Sequence, residues 1–559
     1  TIEGVNRLNF DNLLFFDIEV FSHDAFVVFK DINKNRLAVF HNDFVGLEDF
    51  IKGKTLVGYN NFFYDDHILH AMLNLRTPKQ IKQLNDRIVS GERLKIKNYK
   101  FDSIDCFQQI DVSMPSLKKI EGNMGKMILE SSVPFDIDRP LTDEEFKDVL
   151  HYCEYDVDMT IDVFKMRVES YFKPKQSLLE MLGDDRGKRW NTTTISANVL
   201  LDKPLPKWSN IRVPEEMLEL VPAEVVELWL TKDRGSVTIE DFDCEIEFGF
   251  GGLHGVHKHI RRAENVKLLD VASMYPHIIL NINGLGHATE KYKKLLEERV
   301  QIKHKDKVRS DALKLILNSV YGNLKNKYSM LNNPKCALSV CVYGQIALYE
   351  LCKRLSATCT IININTDGVA FIPHTDDYKD IWSEWEKDFK LTLEEDNYDL
   401  FIQKDVNNYI AKRGDRLTCK GGDTTRYHED AIFRNNNARI LDIALVDKLV
   451  YDTDVLETLE ENLDKPHLYQ YILQAGNTFL GTFDAEGNQY NKVNRVFAAK
   501  EGDFCLYKKR ADGGLVRFAD APMKMFLWND DCDKLENFEK IIDLNHYYQI
   551  VTKRLERWT

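Results

Sequence analysis

The sequence predicts a multidomain α/β fold. Apolar runs of strand length (LLFFDIEVF, NVKLLDVASMYP, TIININTDGVAFIP) alternate with longer amphipathic stretches (DEEFKDVLHYCEYDVDMTIDVFKMRV, KCALSVCVYGQIALYELCKRL). These are the two periodicities that separate strands from helices. At 559 residues and 43% apolar content, the chain exceeds what one core organises, so several domains are expected. No internal repeat, low-complexity tract or long Pro/Gly/Ser linker interrupts it, so the domains are expected to pack against one another.

Composition narrows the function classes. No apolar run approaches the roughly 18 residues of a membrane span, and the amino-terminal stretch passes into LNFDNLLFFDIEVF without a basic-then-apolar leader. A cytoplasmic, monomeric protein without membrane association is the expectation. The ten cysteines form no CxxC pair and are read as reduced core residues, against a zinc site. A net charge of −14 excludes a simple nucleic-acid coat, since phosphate binding needs local positive charge. That charge is found in KYKKLLEERVQIKHKDKVR, whereas 375–400 and 453–465 are acidic.

The first 170 residues hold one set of acids. LLFFDIEV places Asp17 and Glu19 two apart on an apolar strand, so both side chains share a face and can share a divalent cation. GYNNFFYDDHIL puts Asp65 behind an Asn/aromatic turn, and YCEYDV places Tyr152 and Asp156 one helical turn apart. Hard oxygen donors of this kind suit Mg²⁺ or Mn²⁺, and two such ions can activate a water and stabilise a phosphodiester's leaving oxygen. Tyr152 is expected to orient the attacking water.

These three segments, in this order, resemble the motifs of the DEDD-type 3′→5′ proofreading exonucleases of B-family DNA polymerases. The resemblance implies an RNase H-like exonuclease domain with Asp17, Glu19, Asp65 and Asp156 as metal ligands; Asp66 stays as the alternative to Asp65. SLKKI, with Ser116 and Leu117, looks like the family's single-strand-holding segment, although Lys118 and Lys119 equally fit solvated surface charges.

A second set begins at Asp270. In LLDVASMYP an apolar strand runs into Asp270, Ser273 and Tyr275. In LKLILNSVYGNL, Lys314, Asn318 and Tyr321 or Gly322 recur on one helical face. LLEERVQIKHKDK carries Arg299, Lys303 and Lys307 four residues apart, so two antiparallel helices would gather Arg299, Lys303 and Lys314 as a triphosphate clamp, with Lys307 left to surface or DNA-backbone contact. TIININTDGVAFIP reads as a β-hairpin whose turn carries Asn365, Thr366 and Asp367.

This set matches the DxxSxYP, KxxxNSxYG and DTD motifs of the same family, with Asn365 where Asp is usual. The resemblance implies Asp270 and Asp367 as the polymerase metal ligands, two Mg²⁺ (or Mn²⁺) per active site, Tyr275 beneath the nucleotide sugar and Tyr321 against the nascent pair. FGFGGLHG, with Gly251 and Gly252, resembles the YxGG template-contacting segment. DVNNYIAKRGD resembles the KxY primer motif, with Tyr409 kept and Asn407 in the Lys position, and Lys420 follows in KGG.

The resemblance further implies a right-hand polymerase: exonuclease at 1–168, palm at 169–284 and 326–430, fingers at 285–325, thumb at 431–559. Its substrates would be primer–template DNA and dNTPs, and its partners a helicase, single-strand binding protein or other replisome factor, in a phage-type replicase. Asp270 and Lys314 are 44 residues apart and Lys314 and Asp367 are 53 apart, which leaves no room for the insertions of protein-primed relatives. Two other classes remain: a nuclease whose second half only holds DNA, and a non-catalytic nucleic-acid binder.

Overall fold

The computed structural model describes residues 10–559; the first nine residues of the expected exonuclease range, where the leader reading partly falls, lie outside them. The chain is a mixed α/β protein of two compact units. One runs to Asn191 and takes in Asp430–Ile440 and Leu459–Tyr547. The other comprises Thr192–Glu429, Leu441–Thr458 and Tyr548–Thr559.

The first unit is built on a five-stranded sheet. Its strands are β1 (Leu13–Val20), β2 (Ala25–Lys30), β3 (Arg36–His41), β4 (Thr55–Gly58) and β5 (Asp102–Asp105), in the order β3-β2-β1-β4-β5. β1 is central, antiparallel to β2 and parallel to β4, which explains its near-continuous apolar sequence: both faces are covered. Four helices concern the site: α1 (Asp65–Leu73), α2 (Pro78–Val89), α3 (Leu117–Asn123) and α4 (Asp143–Arg167). α4 starts at a capping box, in which Thr142 Oγ accepts from Glu145 N and the Glu145 carboxylate accepts from Thr142 N. Asp143, Glu144 and Glu145 in its first turn favour the positive end of the helix dipole. Phe164 on its buried face meets Phe15 of β1 at 5.4 Å between ring centroids.

The second unit holds a nine-stranded antiparallel sheet. Its strands are β6 (Val237–Asp241), β7 (Cys244–Phe248), β8 (His254–His257), β9 (Arg262–Val271), β10 (Cys359–Asn365), β11 (Gly368–Pro373), β12 (Leu393–Asp405), β13 (Asn408–Arg413) and β14 (Arg416–Lys420). Their order is β14-β13-β12-β9-β11-β10-β8-β7-β6, so β9 and β11 meet near the middle. The helices that follow are α5 (Met274–Asn281), α6 (Thr289–Ile302), α7 (Lys307–Lys325) and α8 (Pro334–Leu355). Cys336, Cys341 and Cys352 are buried along α8, and all ten cysteines are free.

The 431–559 segment, expected as one thumb, is divided between the units, and residues 169–191, expected in the palm, group with the first. Specific polar contacts account for this. Arg495, on the strand Val493–Ala498, is fully buried and donates to the carbonyls of Gly122 (3.2 Å) and Lys126 (2.6 Å) at the end of α3. Arg189 ion-pairs with buried Asp66 of α1 at 2.6 Å. No helix among the described residues is long and apolar enough to cross a membrane.

Candidate functional site

In the first unit, three elements bring the four expected acids into one electrostatic cluster. β1 presents Asp17 and Glu19, α1 begins at Asp65, and α4 supplies Asp156 from its buried face. Burial, then the charge of Asp156, pushes Asp17 up to about 7. Burial lifts Glu19 well above the carboxylate range, and Asp17, Asp156 and Asp65 add to it. Asp65 is raised in the same way, by burial and then Asp17, and burial raises Asp156. Carboxylates that raise one another in a desolvated site favour a bound cation, and their oxygens suit Mg²⁺ or Mn²⁺; of the four, Asp17 and Glu19 bring their ligand atoms together, beside Cys153, while Asp156 is paired with Lys118.

Lys118 supplies part of that positive charge. It is buried between Asp156 and Glu121, bonding the first and lying 3.1 Å from the second. Burial alone would lower its pKa, but the two carboxylates outweigh burial and hold it above the ordinary value. Its ammonium lies 4.5 Å from the centroid of the Tyr152 ring, and Tyr152 is hydrogen-bonded to Asp156. Of the two readings of Lys118, the solvated one therefore fails. Cys153, one residue from Tyr152, was not legible as a site residue. Its Sγ donates to Asp17 Oδ2 at 3.5 Å, and the ligand atoms of Asp17, Glu19 and Cys153 lie within 4.8 Å of one another.

Asp66 faces away from this cluster. Its oxygens accept from Asn61 (3.0 Å), Ser103 (2.6 Å) and Arg189 (2.6 Å), so every strong donor around it is already protein. Asp66→Ala is expected to destabilise the first unit by about 3 kcal/mol, because it leaves Arg189 without its buried partner; Asp65→Ala should not, and urea unfolding of the two variants checks this. Ser116, expected at DNA, is the N-cap of α3, its Oγ accepting from Lys119 N at 3.2 Å, and Leu117 is the first residue of that helix.

The raised acids also set a pH dependence. A carboxylate whose folded pKa is about 7 against an unfolded value near 3.9 binds more protons folded than unfolded. Its contribution is therefore best below the unfolded value and is lost as pH rises through about 7. In EDTA at pH 8, Asp17→Asn is expected to raise the melting temperature of the first unit by roughly 3–5 °C, with no gain at pH 4; calorimetry at both pH values decides it.

In the second unit, Asp270 near the end of β9 faces the β10–β11 turn. Gly368 is its cross-strand partner, and Val271 N donates to Asp367 O at 2.7 Å. Burial, then Asp367, raises Asp270 to about 7, with Asp396 and Glu394 of β12 adding to it; Asp367 is raised by burial. Thr366 takes the left-handed conformation (φ 57°) that this tight turn requires. An open groove of about 580 Å³ includes Asp270, Asn365, Asp367, Asn407, Tyr409 and Lys420 in its lining. Tyr409 and Lys420 are register partners on β13 and β14, and the Tyr409 ring stacks on Phe401 at 5.1 Å. Gly252 packs on the same turn, where a Cβ would come within 2.6 Å of Thr366 Oγ1, and Gly251 O accepts from Cys341 Sγ.

Asn365 and Asn407 touch each other. Asn365 Nδ2 donates to Val406 O (3.2 Å) and reaches Asn407 Oδ1 (3.5 Å). An Asp at 365 would set a carboxylate against two acceptors. Asn365→Asp alone is therefore expected to lower the melting temperature of the second unit by a few degrees, through an unsatisfied half-buried acceptor, and Asn365→Asp with Asn407→Lys to recover most of it in calorimetry.

Ser273 precedes α5 in the left-handed conformation (φ 47°) and turns the chain so that Tyr275 packs at a tilt of 37° on Tyr321 of α7, centroids 4.5 Å apart. The Tyr275 hydroxyl is raised by burial, Cys341 and Asp367, which puts it in the field of the β10–β11 turn. Along α7, Lys314, Asn318 and Gly322 are exposed on one face, with Tyr321 half-buried at its edge. α6 and α7 pair antiparallel through Glu298–Arg309 (2.7 Å) and Tyr292 Oη to Leu317 O (3.1 Å). That register sets Lys314 level with residue 294, about 7 Å along the axis from Arg299 and about 13 Å from Lys303. The backbone positions of the three cations are thus drawn out along the hairpin. Arg299 Nε is buried with no acceptor among the described residues, whereas exposed Lys307 pairs with Asp311 at 2.8 Å.

No protein-family model matches this chain, and no curated protein does. Among solved structures, the chain is similar to the family B DNA polymerase from the hyperthermophilic archaeon Pyrobaculum calidifontis. The TM-score is 0.44 and the identity 14%, over 98% of this chain and 78% of that one.

Proposed function

We propose that the chain is a template-directed DNA polymerase of the B-family type, which extends a primer 3′-hydroxyl with dNTPs and proofreads with a 3′→5′ exonuclease on the same polypeptide. The observation that carries this reading is the placement of Asp270 and Asp367 on abutting elements of one sheet, in a groove that also holds Tyr409 and Lys420. Within it, α6 and α7 are the fingers, and the sheet around β9 and β11 is the palm.

Asp270 with Asp367, and Asp17 with Glu19, Asp65 and Asp156, would hold divalent cations, whose charge would lower the pKa of the attacking oxygen and stabilise the leaving one. The chain's own groups do the rest. Asp270 and Asp367 hold that charge at the end of β9, and Lys314 and Arg299 neutralise triphosphate oxygens at different levels of the hairpin. The packed rings of Tyr275 and Tyr321 form a wall beside the sugar and base. In the first unit, Asp17, Glu19, Asp65 and Asp156 hold the charge, while Tyr152 and Lys118 bracket Asp156 and fix its position.

A second reading, a nuclease whose second unit only holds DNA, is favoured by Asn365 and Asn407 standing where Asp and Lys are usual. A 5′-labelled primer on a template with Mg²⁺, with and without dNTPs, separates the two. Extension supports the polymerase, shortening alone supports the nuclease, and a shifted but unchanged primer leaves neither.

A further inference from the structure

The first unit holds a second concavity that the acid cluster does not use. It lies between α1, α2 and the segment 94–100, with a volume of about 830 Å³. In a chain of net charge −14, no carboxylate lines it among the described residues, while five cations do: Arg76, Arg87, Lys95, Lys97 and Lys100. Arg87 is balanced by Glu92 (2.5 Å) and Lys100 by Glu48 (3.2 Å). Arg76, Lys95 and Lys97 are exposed and have no acid partner among the described residues.

The lining is shaped as well as charged. Along 94–97, Leu94 and Ile96 are half-buried while Lys95 and Lys97 are exposed, and all four line the groove. Lys95 and Lys97, two residues apart on a segment that is neither helix nor strand, set two exposed cations along one wall of the groove. Tyr99 lines the groove with its residue 40% exposed, and the Arg189 guanidinium lies 3.6 Å from its ring centroid. An exposed ring held by a guanidinium is a platform for a base. His70 lines the groove too, and its Nδ1 is buried without a partner. Burial, and then Lys100, lower its pKa, so the neutral ring meets a ligand in a positive field.

We infer that this groove is a binding site for single-stranded DNA, with Arg76, Lys95 and Lys97 on successive phosphates and Tyr99 beneath a base. The choice of DNA over another polyanion rests on the polymerase–exonuclease reading; the cation row and the ring favour a nucleic acid over an acidic peptide, which has no bases to stack.

The test uses the full chain in EDTA, where nothing is hydrolysed, so it is readable even if both activities proposed above are absent. Binding of a fluorescent oligo-dT is followed by anisotropy across a salt series. In Arg76→Glu/Lys95→Glu/Lys97→Glu, affinity is expected to fall at least about tenfold and the slope of log K against log salt to flatten by about 2, since each phosphate contact on a single strand contributes about 0.7. Lys95→Arg/Lys97→Arg should bind as the wild type, which separates lost charge from lost fold. An iododeoxyuridine oligonucleotide should photocrosslink to Tyr99 in the wild type and lose that crosslink in the charge-reversed chain. Unchanged affinity and slope, a crosslink that maps elsewhere, or charge-reversed chain that loses poly-glutamate binding but keeps the oligonucleotide would each overturn the inference.

Discussion

Replacing Asp17 and Glu19 together by alanine is expected to cut primer degradation at least about a hundredfold and leave extension largely intact, while Asp367→Asn does the reverse. The two acid clusters share no residue and no strand: β1, α1 and α4 build one, β9 and the β10–β11 turn the other. Removing carboxylates from one therefore leaves the charge and ligand geometry of the other untouched. The exonuclease-deficient variant should also misincorporate more often, because pairing energy alone discriminates modestly and a second site removes what it misses. Single-turnover assays on matched and mismatched primer ends measure both effects. If either variant loses both activities while still melting cooperatively, the two-site reading is wrong.

Gly368→Ala should be as damaging to extension as losing the acid itself. Gly368 lies across the ladder from Asp270, and a Cβ built on it would overlap Asp270 Oδ1. The carboxylate cannot retreat without leaving the face it shares with Asp367, and the neighbouring backbone is fixed by Val271 N to Asp367 O at 2.7 Å. A displacement on the order of an ångström at a reacting centre costs about a hundredfold in rate, so extension should fall by at least that factor. Degradation, served by the first unit, should persist and report that the chain is folded. Near-normal extension by this variant would show that Asp270 does not work from the position it holds in the structure.

Much of the site was legible because short-range geometry fixed it. The period of a strand puts Asp17 and Glu19 on one face, the period of a helix puts Asp156 one turn from Tyr152, and a two-residue apex between β-rich runs leaves Asp367 in a turn; each is realised. What the sequence left open were choices between neighbours. Asp65 and Asp66 are equivalent as letters, and only the donors Asn61, Ser103 and Arg189 distinguish them. Lys118 reads like any surface lysine until α3 and α4 pack and bury it on Asp156. Residues 431–559 carry no motif, so nothing local could say that Arg495 would cap the end of α3 and draw Leu459–Tyr547 into the first unit.

The sequence by itself determined the α/β class, the elements that bear the acids and the order of both clusters, because periodicity and turn chemistry act over a few residues. The tertiary structure alone decided which of two adjacent acids faces the site, how far apart Arg299, Lys303 and Lys314 stand along their hairpin, and that Asn365 and Asn407 answer each other. Those depend on contacts between residues tens to hundreds of positions apart, whose burial and register emerge only when the sheets and helices pack.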